Sequence, residues 1–383
     1  KYGLEIRREQ NNNNLVGGAR PLYSFAGLWN LANDAPIFEA INADPRTGQP
    51  ANAQRYFRQG DYAAFGQHDW KARQNLTINL GVRYEYFTPL REARGQMSNL
   101  FPGPNGFIDS QLKVVGELYN PDRNNFAPRV GFAWSPKLFK DKLVWRGGGG
   151  IAYNRVPSVL FGNTRGNPPF MARFSICCGS ATNPFVGGQI KYVLGADNSL
   201  TSYPVNPLLS LGIDPATGGI TGRTIEIYGT PQNQPNAYVY NFSLEGQYEL
   251  PFDLTATLGY SGSAGHKLIR IVNQNFIFVR NPRFAPVFFL QPDVNSNFHA
   301  LNSRLSKRFS KGVQFNANYR WSKSIDTLSF EGPGAVTNQT NPSNLASERG
   351  PSDFDATHYF TFSGLWDLPV FRDQKTVAGK ILG

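Results

Sequence analysis

The groups in this 383-residue sequence that could do chemistry are four histidines, two cysteines and a thin scatter of carboxylates and guanidiniums. His68, His266, His299 and His358 stand far apart in sequence, with no HExxH pair and no nucleophile elbow. Each reads as a polar contact at a strand end, and no catalytic residue is expected. Cys177 and Cys178 are adjacent and lack a CxxC spacing or a histidine set. That argues against zinc and iron–sulfur sites and leaves a strained vicinal disulfide or two free thiols in a surface loop. The glycine run 147–150 invites a phosphate-cradle reading, but no Lys-Ser/Thr follows and no helix opens after it. Glycine there is expected to relieve crowding within a strand. Neither a metal nor a cofactor is expected.

What remains is charge at strand-like spacing. Arg83, Glu85, Arg129, Arg146, Glu245, Gln247 and Arg320 all fall on the polar phase of alternating segments. Arg83 and Glu85 together are too much charge to press into a dry core, so this phase should meet water. Charge pairing and hydration of a wet lumen wall is the plainest role, and solute selection is the second. Arg165, Arg173, Tyr192 and the cysteine pair are the loop candidates for outside contacts.

These residues need strands to position them. In 75–87, Leu76, Ile78, Leu80, Val82, Tyr84 and Tyr86 alternate with Thr77, Asn79, Gly81, Arg83 and Glu85, the period of a strand with unlike faces. Similar alternation predicts strands at about 1–10, 55–70, 126–134, 143–153, 238–250, 254–261, 298–309, 313–321 and 354–368. The Asn run 11–14 is expected to end the first, a short helix is expected within 28–40, and the apolar part 284–290 should pair locally. Tight turns at 71–74, 137–141, 251–253 and 310–312 alternate with long loops at 11–54, 88–124, 156–235, 271–297 and 327–353. A soluble β-sandwich or propeller has no reason to sort its connections by parity. A membrane β-barrel does, with short turns on one side and long loops on the other.

Composition agrees. No stretch approaches the roughly 20 apolar residues of a membrane helix, so any spanning structure must be built of strands. Charged residues are 17% and aromatic ones 14%, with 39 Gly and 27 Pro, a mix suited to aromatic girdles and long polar loops. The net charge of +11 is spread singly along strands and turns, unlike the clustered patch of a nucleic-acid binder. Contact with lipopolysaccharide or an anionic solute is the second reading of that charge.

Several segments resemble one family as an ordered set. Gln67-His68-Asp69-Trp70-Lys71 followed by Leu76–Glu85 (LTINLGVRYE) is similar to the "QDDW…LTLNLGLRYE" hairpin of TonB-dependent outer-membrane receptors. NFAPRVG from Asn125, WRGGGGIAY from Trp145, RLSKRF from Arg304, YRWSKSID from Tyr319 and ERGPSDF from Glu348 resemble the barrel of the Oar-like branch, abundant in Acidobacteria. His68 stands where the family has Asp.

The resemblance implies an all-β, transmembrane antiparallel barrel of twenty-two strands, about ten of them in this chain, with long extracellular loops. Residues 1–383 would form one partial barrel domain, without the plug, the TonB box or the C-terminal strands, and in an intact receptor the polar-phase charges would also contact the plug. It implies TonB-coupled import of a large or scarce solute across the bacterial outer membrane, with TonB engaged through an N-terminal segment absent here. A structural or adhesive surface barrel is the alternative.

Overall fold

The computed structural model describes residues 1–14, 21–33, 35–139, 141–177, 210–276, 281–329, 339–367 and 377. Ten long strands form one wall. They are β1 (Tyr2–Asn14), β2 (Gln54–Arg73), β3 (Leu76–Phe87), β4 (Phe126–Trp134), β5 (Leu143–Asn154), β6 (Ala237–Leu250), β7 (Leu254–Asn273), β8 (Phe284–Ser310), β9 (Val313–Asp326) and β10 (His358–Trp366). Each pairs antiparallel with the next in the chain, from β1 to β10. Among the described residues the far edges of β1 and β10 have no strand partner. No described helix is long and apolar enough to cross a membrane.

At one end the strands turn tightly. Gln74-Asn75 joins β2 to β3, Pro251-Phe252-Asp253 joins β6 to β7, and Lys311-Gly312 joins β8 to β9. Lys311 and Gly312 both take positive φ, 49° and 76°, as a two-residue turn matched to the right-handed strand twist requires. The β4–β5 turn is longer and holds a 3-10 turn, Lys137–Phe139. All four tight connections expected from the sequence lie at this end.

The opposite end departs from expectation. The Asn run 11–14 does not stop β1, because Asn11–Asn14 pair with Gln54–Phe57 of a β2 that extends beyond the expected span. A partner for the ladder outweighs the turn preference of asparagine. The helix is only Leu28–Ala32, and Phe38–Ala43 is a strand instead. Most of the expected 271–297 loop is also strand. β7 runs on to Asn273 and β8 starts at Phe284, with bulges around Leu268, beside which Arg270 Nε and Nη2 donate to the two carboxylate oxygens of Asp293 at 2.7 and 2.8 Å. The local pairing expected of 284–290 is present, against β7 and, in parallel, against Ile225–Gly229.

The long connections are packed. Residues 88–125 contain the hairpin Ser98–Gly103/Gly106–Val114 despite its prolines, and 155–177 contain the 3-10 helix Ser158–Gly166 and the strand Ala172–Cys177 paired with Phe38–Ala43. They enclose two apolar clusters. One centres on Phe174, Ile227, Phe284 and Val287, the other on Phe57, Leu90, Met97, Phe161 and Leu290. Fully burying each of these large side chains contributes about 1.5–3 kcal/mol. Asn99 stitches the hairpin to the rest. Its Nδ2 donates to the carbonyls of Leu118 and Thr230 at 3.0 and 2.9 Å, while its Oδ1 accepts from the backbone N–H of Leu100 and Thr230.

Phe161→Ala should cost this cap about 3–5 kcal/mol. Limited proteolysis is the readout, with 88–125 and 155–177 cut faster while far-UV circular dichroism keeps the β signal of the wall.

Candidate functional site

Antiparallel register carries the two-residue phase of one strand into the next, so the wall has two coherent faces. On one side Gly81 lies opposite Arg129, Arg129 opposite Gly150, Arg146 opposite both Ala133 and Glu245, and Glu245 opposite Gly259, which continues through Asn302 to Arg320. All seven charged or amide residues singled out in the strands therefore share one face. The other face is continuous from Leu80 through Val130, Gly149 and Phe242 to Gly262. Leu80 and Phe242 are 47% and 39% exposed, so this apolar face is not packed into a core, as a soluble sandwich would need.

Aromatics border the apolar face in two rows. Tyr62 and Trp70 on β2, Phe126 and Trp134 on β4, Trp145 and Tyr153 on β5, and Tyr240 and Tyr248 on β6 are each eight positions apart on one face. At about 3.4 Å per residue that is roughly 27 Å along the strand, or about 21 Å of height at the usual strand tilt of about 40°, somewhat under the roughly 25 Å of an outer-membrane apolar band. All four histidines fall on this face, each opposite an apolar or small residue: His68 on Leu80, His266 on Tyr238, His299 on Gly262 and His358 on Trp321. Tyr260 Oη shares a hydrogen bond with His299 Nδ1 at 2.6 Å, and Tyr319 Oη with His358 Nδ1 at 2.8 Å. Among the described residues no three His, Cys, Asp or Glu side chains gather as a metal site would require.

The polar face differs along its width. On β1–β3 cations meet carboxylates: Arg83 Nε donates to Glu85 Oε1 and its Nη2 to Glu5 Oε2, both at 2.8 Å. From β4 onward guanidiniums outnumber partners. Arg146 Nη1 donates to Gln247 Oε1 at 2.9 Å and stands 3.9 Å from Glu245. Arg304 Nε donates to Asn318 Oδ1 at 3.0 Å. Arg320 lies over the rings of Tyr359 and Phe298, 5.2 and 6.0 Å from their centroids. Arg129 is exposed, with no carboxylate partner among the described residues.

At the long-connection end the cap seats on this same polar face, a feature the sequence reading missed. Glu9, Asn13 and Asp61 lie on its phase, two-residue steps from Glu5 and Ala63. Arg155, just past β5, reaches Glu9 Oε2 at 2.5 Å and Asp61 Oδ1 at 3.3 Å, and Ser158 Oγ donates to Glu9 Oε1 at 3.1 Å. Gln59 Nε2 donates to the Thr88 carbonyl at 3.1 Å and to Tyr119 Oη at 3.3 Å. Burial pushes the Tyr119 hydroxyl up, keeping it protonated. The apolar spacing of Val156, Leu160 and Phe161 was the available signal.

The loop candidates do not come together. Arg165 is no free loop cation: its guanidinium donates to Asn13 Oδ1, its carbonyl accepts from the buried Arg55 at 3.3 Å, and burial pulls its pKa down. Arg173 is exposed and lines a concavity of about 300 Å³ with Glu226 and Tyr228. Cys177 ends its strand, and Cys178 and Tyr192 lie outside the described residues.

A wall with one greasy and one wet face, sorted connections and paired aromatic rows defines a barrel-wall protein of a bacterial outer membrane. The chain belongs to the outer membrane beta barrel domain family, whose model matches residues 1–383. Among solved structures it is similar to the ferripyoverdine receptor of the outer membrane of Pseudomonas aeruginosa, with 8% identity, TM-score 0.41, and coverage of 85% of this chain and 27% of that one. It is also similar to the alcaligin outer-membrane receptor FauA of Bordetella pertussis, with 10% identity, TM-score 0.38, and coverage of 96% and 44%. The copper transporter OprC gives 10% identity, TM-score 0.38, and coverage of 85% and 46%. The chain thus spans less than half the length of each. No curated protein matches the sequence.

Two changes test the seating of the cap and the return to β10. Arg155→Ala leaves Glu9 and Asp61 facing each other, so hydrogen exchange at 155–166 should speed up by an amount corresponding to about 1–3 kcal/mol. The Asp355 carboxyl is held below its usual range by the Lys323 ammonium, 2.6 Å away, and by the Ser324 N–H. A lowered folded pKa contributes stability above the unfolded value and loses it as pH falls through the folded one. Exchange at 352–357 should therefore rise on acidification through the acidic end of the carboxylate range, and Asp355→Asn should remove that pH dependence.

Proposed function

We propose that this chain is part of the barrel wall of a TonB-dependent receptor of the Oar-like branch, importing a large or scarce solute across the outer membrane. The observation that carries the reading is the pair of unlike faces kept in register over ten strands. The apolar face with its two aromatic rows fits lipid and lipopolysaccharide, and the polar face fits an aqueous lumen. The tight turns then lie on the periplasmic side and the long connections, with their cap, outside the cell. In this reading residues 1–383 supply about ten of twenty-two strands, and TonB acts through a plug-bearing segment that belongs to the whole receptor. The polar-face residues hydrate and charge the lumen and perform no catalysis. Solute selection falls to the polar face and to loop residues such as Arg173.

The packing of the cap favours a second reading, a structural or adhesive surface barrel that binds partners with its outer end and moves no solute. A plug and TonB box encoded upstream of Lys1 would select transport over adhesion. For the barrel itself, the protein should fractionate with the outer membrane, migrate differently in gels when unheated, and be cut within 156–235 by protease added to whole cells. A product soluble without detergent would refute it.

A further inference from the structure

The glycine run of β5 changes the shape of the polar face. Gly148 and Gly150 point to that face, and a Cβ at Gly148 would stand 2.7 Å from the Val130 carbonyl oxygen, one at Gly150 2.9 Å from Arg129 Cγ. With Ser243, Ser261 and Ser263 on the next two strands they leave a concavity of about 560 Å³ beside Arg129. A second, of about 490 Å³, adjoins it through Ser243 and Ser261 and holds Arg304, Arg320 and Glu245. The two form one trough floored by glycine and serine. Guanidiniums stand at both ends, and one carboxylate, Glu245, lies beside Arg146.

The cations at the far end are held in place before any ligand arrives. Arg320 lies against the rings of Tyr359 and Phe298, and Arg304 is steered by Asn318, whose Nδ2 donates to Thr361 Oγ1 at 3.2 Å. Asn302 Nδ2 donates to Ser261 Oγ at 3.1 Å, so the floor is a lattice of hydroxyl and amide groups. A planar guanidinium recognises carboxylate or phosphate through paired hydrogen bonds, and hydroxyls and amides both donate to and accept from sugar hydroxyls. Arg129 and Arg320 lie five strands apart, roughly 24 Å at the usual spacing, which calls for an elongated ligand with separated charges.

We infer that this trough is a binding track for an acidic oligosaccharide, with Arg129 at one end and Arg304 and Arg320 at the other engaging its carboxylates. The inference rests on the reading of the polar face as the solute side. The test is titration of the purified full-length protein in a zwitterionic detergent with hexagalacturonate, with maltohexaose as the neutral chain and inorganic phosphate as the lone oxyanion. Hexagalacturonate should bind, weaken with added salt, and lose at least tenfold in affinity in the R304Q/R320Q variant and in R129Q, while maltohexaose and phosphate bind far more weakly.

Equal binding of the two oligosaccharides would overturn the inference, as would full competition by phosphate or an affinity unchanged in both variants. The salt and neutral-chain comparisons use the unaltered protein, so they decide the matter even if a variant misfolds. Heat-dependent gel migration, measured alongside, reports on the barrel separately. A failed titration with that migration intact removes the track and leaves the barrel reading standing.

Discussion

Everything in the wall depends on phase. A strand alternates its side chains with a period of two, and a slip of one residue in the pairing of β2 with β3, or of β5 with β6, would carry Arg83 or Arg146 onto the greasy side and Leu80 or Phe242 onto the wet one. The bulge between Lys71 and Arg73 sits beside a turn, and those in β7 and β8 lie beyond the aromatic rows or at the final turn. The stretch between the rows keeps an unbroken ladder. Tight turns with fixed geometry, above all Lys311-Gly312, set that register locally.

The cap is held by different physics. Between the aromatic rows the wall is a single sheet whose large apolar side chains, such as Leu80 and Phe242, stay exposed, while at the long-connection end apolar side chains bury one another as in a small globular protein. The charge network of Arg155, Glu9 and Asp61 then fixes where that globule sits. Loss of a few core contacts could loosen the cap without disturbing a ladder of backbone hydrogen bonds several strands away.

The wall was largely legible in the sequence because alternation is local and the resemblance covered nearly every strand. Each expected strand is present, and the polar phase of Arg83, Glu85, Arg129, Arg146, Glu245, Gln247 and Arg320 carries through to one shared face. Legibility failed where partners were distant. Nothing near Asn11–Asn14 says that Gln54–Phe57 will pair with them, and nothing near Ile225 says that β8 will run parallel to it. Arg165 read as a loop cation for the same reason, since its partners Asn13 and Arg55 lie more than a hundred residues upstream. The clusters of the cap draw on every long connection at once, and no single window contains their pattern.

The outermost strands, β1 and β10, leave a row of backbone donors and acceptors unsatisfied along one side among the described residues. Detergent masks greasy side chains but cannot saturate such a row, and a second copy of the same polypeptide can. Stacking of molecules side by side into ribbons is therefore the natural hazard of handling this protein, and it would grow with concentration even where every individual molecule is correctly folded.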